Sequence, residues 1–249
     1  MCKISKNADT ALIGKSVELL SLRHQALKTA FAVTKTTGTI KQVVLENRKP
    51  YFSVIECAEP YSQTALDKIV AESTKNPFDL QKDSLFRVVI IDFTDERFML
   101  IYAHHIILDG WCFPVIITDL QEYYYRLFNG GKGAEALAEE IKKESLSQTS
   151  YGQYSDWIKQ QDKNRAYEYW RDLLRDNSPA HIFGKEKKDN SKNENIVTFR
   201  TRLTDDLSRY IERFAKENKV SPNTVFECVF SIALQKFSGS EEVVFEKII

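Results

Sequence analysis

Two consecutive segments, LFRVVIIDF and RFMLIYAHH, are separated only by Thr94-Asp95-Glu96, and they constrain the fold more than anything else in the chain. Their β-branched and aromatic content reads as two strands joined in a hairpin. Past Gly110 the period changes: Val115, Ile116, Leu120, Tyr123, Tyr124 and Leu127 recur at helical spacing, with Pro114 in the first turn and Gly130-Gly131 ending the run. A strand hairpin leading directly into a helix is therefore the centre of the expected structure.

Other segments arrange themselves around it. From Asp9 to Phe31, Leu12, Ile13, Val17, Leu20, Ala26, Leu27 and Phe31 fall at helical spacing, and KQVVLEN and YFSVIEC read as strands around Arg48-Lys49-Pro50. A helix is expected over Gln63 to Ser73, then an irregular NPFDLQKDS. Residues 132 to 150 read as a polar surface loop with room for a short helix, and Tyr154 to Leu174 as a helical region. GKEKKDNSKNEN, residues 184 to 195, has the composition of a linker. Beyond it IVTFRTRL alternates like a strand, and two helices follow. Ser221 and Pro222 open the second of these, which is apolar almost all round and expected to be buried. VVFEKII then begins a strand on which the sequence stops, as though cut short. No internal repeat is evident.

Composition excludes several classes of function. Lys plus Arg and Asp plus Glu both number 35, so the chain lacks the basic excess of a nucleic-acid binder. No apolar run approaches the roughly 20 residues that span a bilayer, so no membrane partner is expected. The opening MCKISKNADTAL lacks the apolar core of a signal peptide, which points to the cytoplasm. Cys2, Cys57, Cys112 and Cys228 are widely spaced, arguing against structural zinc or a redox dithiol and for free buried thiols. Cys112, three residues after Asp109, is read as packing and not as a nucleophile.

His104 and His105 close the second strand, and Asp109-Gly110 follows within the turn to the helix. Along a strand successive side chains diverge, so the two imidazoles are expected on opposite faces, with His105 toward a cleft. They cannot grip one metal together, no H-E-x-x-H pattern is present, and no metal site is expected. Asp109 sits on the kind of loop that presents functional groups, and a carboxylate buried there needs a cation or several donors. Core packing of both histidines is the plain alternative.

These residues carry a resemblance. HHIILDG is similar to the H-H-x-x-x-D-G signature of condensation domains of non-ribosomal peptide synthetases, shared with the wider chloramphenicol acetyltransferase superfamily. RHQALKTAF resembles the R-H-E-x-L-R-T-x-F motif, with Lys28 in place of the second arginine. NPFDLQKDSLFRVVII, YSDWIKQQ, EYWRDLL and FAKENKVSPNTVFECVFSIALQKFSG resemble further segments in family order. The family's opening motif and its later F-V-N-T type motifs have no counterpart.

The resemblance implies an α/β, two-layer sandwich of chloramphenicol acetyltransferase type. One full lobe is expected over residues 1–178, with a crossover and the start of a second lobe over 179–249. It implies amide-bond formation between a carrier-bound acyl or aminoacyl thioester and a carrier-bound aminoacyl amine. The substrates would arrive on the 4'-phosphopantetheine of upstream and downstream peptidyl carrier proteins, beside neighbouring synthetase domains, and no cofactor would be held intrinsically. His105 aligns with the acting histidine, as base or positioner, and His104 is read as structural. Asp109 is expected to pair with Arg23, a guanidinium suited to a carboxylate, with Arg87 as a second candidate. Gly110 is expected to let the backbone turn tightly beside substrate, and Trp111 to wall the tunnel or pack in the core. An epimerization domain, an acyltransferase acting on a free substrate, and a non-catalytic carrier-binding fragment are the alternatives. DGWC resembles the D-G-W-S of condensation domains joining L-configured residues, which favours condensation. The incomplete chain is expected to be inactive alone and to self-associate through the edge of VVFEKII.

Overall fold

The computed structural model describes residues 1–130, 133–176 and 200–247. They form two compact units, Met1–Gln160 and Gln161–Ile249. The domain boundary expected at 178/179 and the linker expected over 184–195 lie outside the described residues.

The hairpin is the spine of the first unit. Strands β5 (Phe86–Asp92) and β6 (Arg97–Ala103) pair antiparallel from Phe86↔Ala103 to Asp92↔Arg97. Around them lie β1 (Cys2–Ile4), antiparallel to β6, and β4 (Tyr51–Glu56), parallel to β5, giving the order β1-β6-β5-β4. Alternate residues of the central strands point to two apolar clusters. On one face Val88, Ile90 and Met99 meet α1 (Thr10–Arg23) and α3 (Cys112–Phe128) through Val17, Leu20, Ile116 and Leu120. On the other, Val89, Ile91, Phe98 and Leu100 meet Leu66 of α2 (Gln63–Thr74). The mixed α/β sandwich is the expected one.

Several segments depart from their expected form. The helical spacing from Asp9 to Phe31 does not carry through, because α1 stops at Arg23 and a 3-10 turn follows over Gln25–Lys28. Phe31 then falls in β2 (Thr29–Val33), where TAFAV satisfies its backbone against β3 (Ile40–Val44) from Thr29↔Val44 to Val33↔Ile40. The segment after residue 132, read as a surface loop with room for a short helix, is mostly helix α4 (Ala134–Ser145), whose Leu137 and Ile141 are buried against α1. Two core side chains four residues apart on a mostly charged segment define a narrow apolar stripe, which is enough to dock a helix. The helical region from Tyr154 divides into α5 (Tyr151–Lys159) and α6 (Lys163–Leu173), because Asp162 caps the second helix by accepting from the Arg165 N–H.

In the second unit α7 (Asp205–Glu217) packs on α8 (Pro222–Ser238), which opens with Ser221 as its cap as expected. Burial of α8 is not observed. Leu234 is its one buried residue, and Val229, Ile232 and Phe237 are exposed, since nothing among the described residues of this unit covers its outer face. Neither flanking strand is seen among the described residues. Residues 200–203 of IVTFRTRL have no regular structure and 196–199 lie outside the described residues. Residues 243–247 also lack a strand: Phe245 packs edge-on against Phe230 and Lys247 pairs with Glu227. Among the described residues, the strand edge on which self-association was expected is therefore not seen. The thiols are free, but Cys57 and Cys112 are only half-buried, and Cys2 and Cys228 are exposed.

Candidate functional site

The hairpin ladder ends at Ala103, one residue before the histidines, so strand alternation does not govern both rings. The His104 N–H donates to the Leu85 carbonyl at 2.9 Å, one last tie to the strand before the chain turns. The Ile106 N–H donates to His104 Nδ1 at 3.1 Å, and the Ile107 N–H to the His104 carbonyl at 3.1 Å. His104 is thus engaged in shaping the turn, and accepting at Nδ1 places its proton on Nε2. Its ring stands edge-on to Phe78, with centroids 6.0 Å apart. His105, the next residue, is exposed in this unit.

Asp109 and Arg23 do not meet. Asp109 Oδ1 accepts the N–H groups of Trp111 at 3.0 Å and Cys112 at 3.1 Å, closing the turn that starts α3. Hydrogen bonds from Cys112 and Trp111 hold this carboxyl below the usual aspartate range, with a smaller contribution from the nearby His105. Arg23 instead pairs with Asp119, Nε to Oδ2 at 3.1 Å, and lies 3.9 Å from Glu144. The reason is geometric. Asp119 lies seven residues beyond Cys112 on α3, about 10 Å along the axis at 1.5 Å per residue, and the end of α1 packs there. Arg87, the second candidate, pairs with Asp83 at 2.8 Å.

Sequence reasoning missed a buried polar cluster in this unit, centred on Asp119. Asp119 is 6% exposed and receives His24 Nε2 at 2.6 Å as well as Arg23. Burial lowers the His24 pKa, opposed by its hydrogen bond to Asp119. One helical turn on, the Tyr123 hydroxyl is buried, and desolvation beside Asp119, partly offset by Arg23, pushes it up to about 12. The signal was present: Asp119 lies between Ile116 and Tyr123 on the apolar stripe of α3, and a carboxylate there demands a cation.

Gly110 adopts no left-handed backbone, and a Cβ built on it would meet nothing within 4 Å. The turn itself therefore does not require glycine, and any need for it comes from what approaches that open space. Trp111 is 71% exposed and does not pack in the core. Cys112 is half-buried and burial pushes its thiol up, away from a nucleophile's range. Among the described residues no group of three or more His, Cys, Asp or Glu could hold a metal. No helix of the described residues is long and apolar enough to cross a membrane.

The family model of the condensation domain matches residues 1–249, and the chain belongs to that family. Bacitracin synthase 1 of Bacillus licheniformis is 27% identical over 99% of this chain, which spans 5% of that protein. Gramicidin S synthase 2 of Brevibacillus brevis is 27% identical over 97% of the chain, which spans 5% of it. Among solved structures, the condensation domain of the monacolin K polyketide synthase MokA superposes with a TM-score of 0.62 at 15% identity. That match covers 96% of this chain and 54% of the other. SgcC5 of Streptomyces globisporus gives a TM-score of 0.62 at 16% identity, over 94% and 52%. The chain thus has the condensation-domain fold and about half the length of those solved structures.

Proposed function

We propose that this chain carries the histidine-bearing lobe of an amide-forming condensation domain of a non-ribosomal peptide synthetase. The amine of a carrier-bound aminoacyl acceptor attacks the carbonyl carbon of a carrier-bound acyl thioester. As the C–N bond forms and the C–S bond breaks, neutral His105 accepts the surplus ammonium proton and the departing thiolate takes it back. The observation that carries this reading is the division of labour in the turn: His104 is bonded into the backbone, and His105 beside it is left exposed. Peptidyl carrier proteins, presenting both substrates on 4'-phosphopantetheine, and adjoining synthetase domains are the partners, in the cytoplasm, with no cofactor held by the chain. Because a thioester is already activated, positioning two tethered reactants supplies much of the rate. With His105 exposed, the 249 residues alone form little product.

The test supplies loaded donor and acceptor carriers to the chain, and to a complete condensation domain into which residues 1–249 have been exchanged, and reads the dipeptidyl product by mass spectrometry. The exchanged domain should turn over, and His105→Ala should lower its rate by about 100-fold or more. Turnover indifferent to His105→Ala would overturn the assignment. Robust product from the 249 residues alone would overturn the statement that they form little.

A further inference from the structure

The turn bearing His105 is held from a direction that the double-histidine signature does not include. On the α2 face of the sheet, Arg87 of β5 lies directly across from Tyr102 of β6, two residues before His104. The Arg87 guanidinium carbon sits 4.2 Å from the centroid of the Phe78 ring, and that ring stands edge-on to His104 with an interplanar angle of 78°. Arg87 also gathers the loop that supplies Phe78: it donates to the Asn76 carbonyl at 3.2 Å and to Asp83 Oδ2 at 2.8 Å.

We propose that Arg87 and Phe78 are positioning residues, a guanidinium–ring–imidazole stack that fixes the His104 ring and through it the turn presenting His105. The physics is specific. A cation on one face of an aromatic ring is attracted by its quadrupole, and the electropositive ring edge suits a second π system placed end-on. Held between Phe78 and the Ile106 N–H, the His104 ring has one orientation in which Nδ1 accepts and Nε2 carries the proton. Without the ring it is free to rotate about its side-chain torsions, Nδ1 loses its donor, and the turn that begins His105 loosens. This rests on reading His105 as the acting group.

The experiment is long-range nitrogen–proton NMR of the full chain with labelled histidine, assigned by His104→Ala. Wild type should show His104 in the single Nε2–H tautomer. Phe78→Met keeps the apolar volume but not the ring, and should lose that pattern to an average of both tautomers, while His24, on the other face of the sheet, keeps its resonances. Phe78→Tyr should restore the pattern. Arg87→Lys, which loses the flat fork, should weaken it. An unchanged His104 tautomer in Phe78→Met with His24 in place would overturn the proposal. Loss of the His24 resonances in the same variant would overturn it too, since the stack would then be holding the fold and not aiming a ring. Product formation indifferent to His105→Ala with the tautomer loss observed would sink the chemical reading and leave the stack standing.

Discussion

Replacing Asp119 by alanine removes the carboxylate on which the end of α1 and the middle of α3 converge. Asp119 is 6% exposed, and it receives His24 at 2.6 Å and Arg23 at 3.1 Å. Hydrogen bonds to a charged group contribute about 1.5–3 kcal/mol each. Deleting one partner of a buried ion pair costs about 3–5 kcal/mol when the remaining charge is fully stranded. Arg23 is not fully stranded: its side chain is 30% exposed and Glu144 lies 3.9 Å away, so water and a second carboxylate take up part of the loss. The expected destabilisation is therefore at the low end, about 3 kcal/mol. For a unit of this size each kcal/mol moves the melting temperature by about 2–4 °C, so Asp119→Ala should lower it by about 6–12 °C in a calorimetric or circular-dichroism melt. Asp119→Asn, which keeps an acceptor oxygen, should lose less. A melting temperature for Asp119→Ala within about 1 °C of wild type would refute the argument. So would a larger loss for Asp109→Ala, which would mean that Arg23 answers to the other carboxylate.

Asp109→Ala removes an exposed turn-closing acceptor and should lower the urea unfolding midpoint by less than Asp119→Ala does, with Asp109→Asn near neutral. Ile141→Ala empties a fully buried site between α4 and α1 and should cost about 2–4 kcal/mol by the same measurement, whereas a near-zero loss would return that segment to the surface. Gly14→Ala places a methyl 2.9 Å from the Phe52 ring and should cost about 1–3 kcal/mol, relieved by Phe52→Leu. Because burial lowers the His24 pKa below 6.5, the unfolded chain binds that proton more readily than the folded one. Stability should therefore rise with pH between the folded-state value and 6.5, and fall as pH drops through that window. Denaturation midpoints measured across it, with His24→Gln flattening the slope, check the sign.

How much of this was legible in the sequence depended on how local the cause was. The β5–β6 hairpin, the start of α3 and the cap of α8 were readable because each rests on a few adjacent residues: an apolar run, a turn, a serine before a proline. The end of α1 was misplaced because Leu27 suits a helix and a 3-10 turn equally, and the pairing of β2 with β3, about ten residues away, decided it. Leu137 and Ile141 gave α4 only two buried contacts, too few to stand out among its charges. Asp109 was assigned a distant arginine although its own next residues could satisfy it. The buried helix expected at α8 failed for the opposite reason: its apolar surface was plain, but burial needs a second surface that the described residues of its unit do not supply.

The β5–β6 ladder can also be seen as a counting device. Arg97 opposite Asp92, joined to it at 2.5 Å and with Lys6 bound to the same carboxylate, fixes where the count begins. Six residues later the strand runs out at Ala103, and the chain turns at once: the next imidazole meets Phe78 and the one after is left exposed. What distinguishes the free histidine from the bound one is thus where the ladder stops, and identical side chains acquire different tasks from standing one step apart at its end.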